Sequence, residues 1–228
     1  MIEGNKSSLE KASKSFASGL NCYKIFWVFF IGCILGVVIE TLWCLITRFK
    51  LESRSGLIYG PFNLVYGFGA VAITLSLYWL FNKRDLWIFI GGVIVGGAYE
   101  YLCSWIQEKI FGTVSWEYSQ MSFNLNGRIN LLYCFFWGIL ALIWVKQIYP
   151  VLSNLIEKIP NRIGASLTWV LFIFMIFNTG ISGLVVERQT ERREGIQAVS
   201  FLDKYLDKHY SDEVLRKIYP NMIYVIEK

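Results

Sequence analysis

The chain has 228 residues, of which 55% are hydrophobic and 17% are charged, and its formal net charge is +5. Ordinary soluble domains carry about 25% charged residues, so this composition excludes a typical soluble enzyme. The basic residues form no concentrated patch, which excludes nucleic-acid binding. The apolar residues occur in long blocks rather than in alternation, so the expected class is an all-α membrane protein and not a β-barrel.

Five apolar blocks reach the length of about twenty residues that an α-helix needs to cross a bilayer. We therefore predict a polytopic integral membrane protein with five transmembrane helices, near residues 23–47, 63–81, 86–111, 129–149 and 165–186. A polar N-terminal tail, 1–22, precedes this transmembrane domain, 23–186, and an amphipathic C-terminal tail, 187–228, follows it. The first block exceeds the ~7–15 apolar residues of a signal peptide and no Ala-x-Ala site follows it, so we expect it to be retained.

The pattern Gly-x-x-x-Gly-x-x-x-Glu occurs twice, in the first and in the third block. The copies read GCILGVVIE, residues 32–40, and GVIVGGAYE, residues 92–100. On a helix the three named positions share one face. Small residues at this spacing let helix backbones approach closely in lipid. We therefore predict helix-packing faces at Gly32, Gly36, Gly92 and Gly96.

A second shared string, Phe-Asn-Leu, lies downstream of each copy, at 62–64 and at 123–125. The chain is thus predicted to contain two copies of a two-helix unit, residues 23–81 and 86–149, while the block at 165–186 has no counterpart. Because each unit holds two spans, the copies have parallel topology. We expect a pseudo-two-fold axis along the membrane normal to relate them.

Glu40 and Glu100 end the two patterns inside apolar helices. A charged side chain near mid-span costs roughly 2.5–3.5 kcal/mol on the insertion scale, so such residues usually face the protein interior and have a partner. Three interpretations stay open: neutral or loop-capping acids, a polar site for a cation or proton, and an intramembrane enzyme. The nearest cations in topology are Arg54 and Arg128. We expect Arg128 to hold one acid ionised while the other acid takes a proton or a cation.

The loops beside these acids have unusual compositions. The loop before the fourth block contributes Asn124 and Asn126 to the candidate site. In the loop after the first block, Gly60-Pro61 breaks any helix, yet residues 57–59 are apolar. Irregular backbone at membrane depth is tolerated where protein surrounds it, so we expect this segment to enter the protein interior.

The C-terminal tail has a helical pattern of its own. Val199, Leu202 and Leu206 recur at helical spacing between charges. Ser211 is typical of the residue that caps a last short helix, which Pro220 would end. The tail is then either an amphipathic helix on the membrane or on its own domain, or a helix that docks a partner. With five spans the two tails lie on opposite sides of the membrane, and the Lys/Arg distribution favours a cytoplasmic N-terminus.

Two segments are predicted to lack packed structure. Residues 1–22 are rich in Ser and Lys and are expected to form a mobile tail, whose lysines together with Lys24 mark the N-terminal side of the membrane. Residues 150–164 carry Pro150 and Pro160 and are expected to connect the fourth and fifth spans.

No motif of soluble-type catalysis occurs: the sequence lacks HExxH, GxSxG and the phosphate-binding GxxxxGK[ST]. The one histidine, His209, lies in the tail. The five cysteines form no CxxC pair and are expected to pack as small apolar residues. We expect no enzymatic activity, no cofactor and no metal site.

The strings GLIYGPFNLVYGFGA, AYEYLCSWIQEKIFG, WEYS and FNLNGRINL resemble the family of putative ABC-transporter permeases of type IV, also called CmpB-like. The resemblance covers about residues 25–150, and it departs from the family's usual Arg-Gly where Ser55 separates Arg54 from Gly56. It implies a multi-pass protein of the bacterial plasma membrane, a permease subunit whose ATPase would be a separate partner. The positions on the family's recurrent motifs are Glu40, Gly60, Pro61, Tyr66, Gly67, Glu100, Trp116, Tyr118, Asn124, Asn126, Gly127 and Arg128.

Two function classes stay open at this point. The first is a transporter or permease subunit with the acid pair in a substrate or ion path. The second is a non-transporting membrane protein that binds or regulates a partner through its tail and loops.

Overall fold

The computed structural model describes residues 15–224, which are mostly helical. Within this range eight α-helices follow one another: α1 Cys22–Arg48, α2 Leu64–Leu77, α3 Asp85–Phe111, α4 Leu131–Ile143, α5 Tyr149–Glu157, α6 Asn161–Arg193, α7 Phe201–His209 and α8 Asp212–Ile218. Short strands form two antiparallel pairs, β1 with β4 and β2 with β3: β1 Thr113–Val114, β2 Asn124–Leu125, β3 Ile129–Asn130 and β4 Ile223–Tyr224.

Helices of membrane-spanning length number four among the described residues, one fewer than the sequence predicts. They are Cys22–Arg48, Asp85–Phe111, Leu131–Glu157 and Asn161–Arg193. The second predicted span corresponds to the apolar stretch Leu64–Leu80, which is shorter. Its last turn, Tyr78–Leu80, tightens into a 3₁₀ helix. The chain is therefore a mostly helical, multi-pass membrane protein.

The fourth span continues beyond the predicted boundary, because Pro150 does not end it. A π-helical turn at Trp144–Ile148 precedes α5, and Pro150 lies in the first turn of α5. Proline lacks the N–H donor of a helical residue, and a widened turn of this kind accommodates the lost hydrogen bond. The prediction of a connector from residue 150 onward was wrong, since the connection to α6 is confined to 158–160.

Helix α6 is also longer than the predicted span at 165–186. It has 33 residues, a length of about 50 Å at 1.5 Å per residue, whereas the hydrocarbon core of a bilayer is about 30 Å thick. The C-terminal turns of α6 thus extend past the apolar region, and they carry Arg188 and Arg192 towards the tail.

Helices α1 and α2 form a close-packed hairpin around the first pair of glycines. A Cβ atom placed on Gly32 would lie 2.9 Å from the Ala70 methyl carbon and 3.3 Å from the Cα of Gly67. A Cβ on Gly36 would overlap the ring of Tyr66. The absence of side chains at both positions is what lets α2 approach α1.

Helices α3 and α4 form a second hairpin with matching contacts. A Cβ on Gly92 would overlap the methyl carbon of Ala141 and would lie 3.0 Å from the Cα of Gly138. A Cβ on Gly96 would overlap the ring of Trp137. Gly92 and Gly96 therefore lie at the contact between α3 and α4 as Gly32 and Gly36 lie at the contact between α1 and α2.

The loop between α1 and α2 packs inside the protein, as its apolar segment led us to expect. Leu57 and Phe62 are buried in a cluster with Cys33 of α1 and Met175 of α6. Asn178, which is fully buried on α6, satisfies the backbone of Tyr59: its Oδ1 accepts from the N–H at 3.1 Å, and its Nδ2 donates to the carbonyl at 2.7 Å.

The described part of the C-terminal tail packs on its own domain, which is one of the placements that its sequence pattern leaves open. Leu206, Tyr210 and Leu215 form a buried cluster with Val185 of α6. Ser211 caps α8, as its sequence context predicts. Val199, which the periodicity placed in a helix, precedes α7 and is exposed.

The described part of the N-terminal tail is packed, and the prediction of mobility fails there. Ala17 is fully buried, and Phe16 contacts Gly164 near the start of α6. Lys24 is also fully buried and pairs with Glu157, so it is not a free interfacial charge. The lysines at 6, 11 and 14 lie outside the described residues.

Candidate functional site

Glu40 lies in the last third of α1, about 12 Å along the helix from its end at Arg48. Its side chain is 31% exposed. The Tyr66 hydroxyl of α2 donates to its Oε2. Because the ring of Tyr66 also lies over Gly36, the glycine makes room for the residue that binds the acid one turn later.

Arg54 provides the cation next to Glu40. Its Nη1 lies 3.7 Å from Glu40 Oε1, and its side chain is 5% exposed. Its Nη2 donates to Cys44 Sγ and, at 3.4 Å, to Glu52 Oε2. Cys44, predicted to be a packing residue, therefore also accepts a hydrogen bond. Among the described residues nothing accepts a hydrogen bond from Arg54 Nε, which is buried.

Glu100 is the more enclosed acid, with 7% of its surface exposed. The Tyr118 hydroxyl donates to Oε1 at 2.9 Å, and the Trp137 indole N–H donates to Oε2 at 2.9 Å. The ring of Tyr133 stacks on that of Tyr118 at a centroid distance of 4.7 Å. Each carboxylate oxygen thus has one neutral donor. Within residues 15–224 no Lys, Arg or His nitrogen lies within 4.0 Å of this acid.

Trp137 at Glu100 plays the part that Tyr66 plays at Glu40. Its ring lies over Gly96 and its N–H reaches the acid four residues further along α3. Sequence reasoning missed Trp137 because the two aromatic residues differ in type. The shared spacing to a glycine, Tyr66-Gly67 and Trp137-Gly138, is the signal that identifies it.

Tyr118 connects the two acids electrostatically. Burial raises the pKa of its phenol, the adjacent Glu100 carboxylate raises the pKa further, and Glu40 adds a smaller effect in the same direction. The phenol therefore stays protonated and acts as a donor. Both acids lie within electrostatic range of this one hydroxyl, although they belong to different helix hairpins.

The predicted pairing of Arg128 with Glu40 or Glu100 was wrong. Arg128 Nη2 lies 2.5 Å from Glu108 Oε2, and Nη1 donates to Ser104 Oγ at 3.2 Å. Glu108 lies two turns past Glu100 on α3, closer to the loop from which Arg128 comes. Arg128 therefore pairs with Glu108, the acid nearer to its own loop, and the hydrogen-bond donors to Glu100 are all neutral.

Asn124 and Asn126 shape the turn between β2 and β3. Asn124 Oδ1 accepts from the Gly127 N–H at 3.0 Å. Asn126 and Gly127 have φ values of 53° and 68°, a conformation that Asn and Gly adopt more readily than other residues. Asn126 Nδ2 donates to the Tyr101 hydroxyl at 3.0 Å. Neither asparagine contacts Glu40 or Glu100 through these bonds.

Helices of spanning length that carry acids with polar partners define a polytopic α-helical membrane protein. The sequence profile of the family described as "Putative ABC-transporter type IV" matches residues 27–183, more than half of the chain. The chain belongs to this family. The match extends the resemblance seen over residues 25–150 through most of α6. A search of curated proteins and a search of solved structures each found no match.

Proposed function

We propose that this protein is the membrane-embedded subunit of a transporter, in which Glu40 and Glu100 form a pair of related sites for a proton or a small cation. The family supports a role in transport rather than in catalysis. The observation that carries the proposal is the setting of Glu100, which is buried within a spanning helix and contacts only neutral donors. A carboxylate in such a place takes up a proton or a cation more readily than it stays charged alone.

Matching contacts in the two helix hairpins support a duplication and, with it, the pairing of the two sites. The glycine contacts of α1 recur on α3 with an offset of sixty residues, from Gly32 and Gly36 to Gly92 and Gly96. Their partners on the second helices recur with an offset of seventy-one, from Tyr66, Gly67 and Ala70 to Trp137, Gly138 and Ala141. Two acids related in this way would have corresponding depths and corresponding neighbours.

The helix caps also support the duplication, but they change which residues of the two hairpins correspond to each other. Asn63 caps α2 by accepting from the Val65 N–H at 3.0 Å, and Asn130 caps α4 by accepting from the Leu132 N–H at 2.9 Å. The equivalent of Asn63 is therefore Asn130, whereas the Phe-Asn-Leu string had matched it to Asn124. The second hairpin has one more helical turn between the cap and the aromatic donor.

We also propose that α2 crosses the membrane, which gives five crossings. Its apolar stretch spans about 25 Å over Leu64–Leu80, slightly less than the hydrocarbon core. The buried loop before it, with Leu57 and Phe62, adds apolar length. Reporter fusions after Lys14 and after Lys208 should then report opposite sides of the membrane, and equal readouts would contradict five crossings.

Proteoliposomes with an entrapped pH-sensitive dye test the function. The wild-type protein should dissipate an imposed pH step faster than protein-free vesicles, and Glu100→Gln should slow this at least about tenfold. Glu194→Gln, which alters an exposed acid after α6, is the control and should behave as the wild type. Equal rates for Glu100→Gln and the wild type would contradict the proposal.

A partner ATPase belongs to the same proposal. Mild solubilisation and purification of the tagged full chain should then co-purify a nucleotide-binding subunit. The alternative is a non-transporting protein that binds or regulates a partner through its tail and loops. The tail part of this alternative receives less support, because α7 and α8 are packed on α6.

A further inference from the structure

The folded tail contacts both loops that supply partners to the two acids. We define the first loop as residues 49–63, which carries Arg54, and the second loop as residues 112–130, which carries Tyr118. The end of α7 and its cap residue Tyr210 lie against the first loop, and strand β4 lies against the second. One segment of chain therefore contacts both.

The contact with the first loop is a hydrogen bond and an apolar cluster. The hydroxyls of Tyr59 and Tyr210 lie 2.5 Å apart. The side chain of Ile58 packs into the buried cluster formed by Leu206 and Leu215. The Ile58 N–H donates to Ser182 Oγ of α6 at 3.0 Å. Residues 58 and 59 are thus held between α6 and the tail, four and five residues after Arg54.

The contact with the second loop is a strand pair. Thr113 pairs with Tyr224 in the antiparallel register of β1 and β4. The Tyr224 hydroxyl donates to Gln189 Oε1 of α6 at 2.6 Å, and the Arg193 guanidinium lies 3.2 Å from the centroid of the Tyr224 ring. Strand β1 lies at the start of the second loop, just after α3. Its last residue, Val114, is four residues before Tyr118.

Ion pairs hold the tail against α6. Arg188 Nη2 lies 2.9 Å from Asp207 Oδ2, and Arg192 Nη1 lies 2.7 Å from Asp207 Oδ1. Arg192 Nη2 also lies 2.7 Å from Asp212 Oδ1. Asp207 accepts from both arginines and Arg192 donates to both aspartates, so the bonds form one network that secures α7 and α8 together.

We propose that the tail is a regulatory strap that controls both acid sites at once. While the strap is seated on Arg188 and Arg192, it holds the two loops and thereby keeps Arg54 at Glu40 and Tyr118 at Glu100. When the strap is released, both loops loosen together and both acids lose a partner. The consequence for transport rests on the proposed function, whereas the coupling between tail and loops does not.

Hydrogen–deuterium exchange on the full chain in lipid nanodiscs tests the coupling. In Asp207→Asn/Asp212→Asn, which removes the two carboxylates that pair with Arg188 and Arg192 at nearly constant size, amide exchange should rise at least about threefold in peptides covering both loops. Glu191→Gln is the matched control. Glu191 pairs with Arg188 from within α6, so its loss removes an ion pair without detaching the tail. Faster exchange confined to α7 and α8 would overturn the proposal.

A second variant separates the two contacts and also serves if the double variant does not fold. Tyr59→Phe/Tyr210→Phe removes the hydroxyl contact but keeps the ion pairs, so exchange should rise in the first loop alone. Unchanged exchange in this loop would equally count against the strap. If the exchange results hold while wild-type vesicles show no proton movement, the proposed function fails and the coupling stands.

Discussion

Lys24, at the start of α1, is fully buried and forms an ion pair with Glu157, at the end of α5, with its Nζ 2.6 Å from the Oε1. Ser153, one turn before Glu157, accepts from the same ammonium through its hydroxyl and its carbonyl oxygen. The pair joins the start of α1 to the end of α5, so it links the first and the third of the four helices of spanning length. The two residues differ in exposure: Lys24 is fully buried, whereas the side chain of Glu157 is 36% exposed.

This asymmetry predicts which substitution harms the protein most. Glu157→Gln leaves a buried ammonium without its counter-ion, which we expect to cost about 1–3 kcal/mol of stability. Lys24→Met/Glu157→Gln removes both charges and should be less destabilising than Glu157→Gln alone. Thermal unfolding in detergent measures the order, with Glu194→Gln at an exposed site of the chain as control. If the effects of Lys24→Met and of Glu157→Gln, each measured alone, add up to that of the double variant, the two residues do not interact.

Glycine substitutions test the two helix hairpins. Gly36→Ala and Gly96→Ala would place a methyl group inside the rings of Tyr66 and Trp137, and overpacking of this kind costs about 1–3 kcal/mol. Gly180→Ala on α6 is the matched control, because nothing lies within 4 Å of a Cβ there. Midpoints of thermal unfolding should fall for the first two variants and stay level or rise for the third. A similar loss for all three would point to a general intolerance of alanine in these helices.

The glycine faces were predictable because a repeat every four residues sets one helix face without knowledge of the partner. The cap at Ser211 was predictable for a similar reason, since it depends on neighbours in sequence. The Asn-Gly turn at residues 126–127 also follows from local backbone preference. Each of these features is determined within one or two helical turns of chain.

Long-range partners were not predictable from the same patterns. The order of elements along the chain places Arg128 near both Glu40 and Glu100. Its pairing with Glu108 instead depends on which turn of α3 the second loop packs against. The continuation of the fourth span past Pro150 depends on a π-helical turn that no residue type specifies. The seating of the tail needs Asp207 to meet two arginines of α6, a contact between separate elements.

Double-mutant cycles distinguish the observed ion pairs from the predicted one. Arg54 with Glu40 and Arg128 with Glu108 should each show a coupling energy of about 0.5–3 kcal/mol when changed to Met and Gln. Arg128 with Glu40 should be additive, because no ion pair joins them. The measurement is the free energy change from reversible unfolding in detergent, or the shift of thermal midpoint where unfolding is irreversible. Coupling in the Arg128–Glu40 cycle would restore the pairing that the sequence had suggested.

Acid should release the tail, and the direction follows from Asp207. Its hydrogen bond to Arg188 lowers the pKa of this carboxyl below its usual range. A carboxyl whose pKa is lower in the folded state stabilises that state above its unfolded pKa, about 3.9, and loses this contribution as the pH falls through the folded pKa. Exchange protection of α7, expressed relative to an unstructured peptide at each pH, should therefore be level from pH 7 to about 5 and fall below about 4.

Asp203 also has a lowered pKa, through its bond to the Ser200 cap, so Asp203→Asn is the comparison. Asp207→Asn should remove most of the fall and Asp203→Asn less of it; an unchanged profile in Asp207→Asn would assign the acid sensitivity to another group.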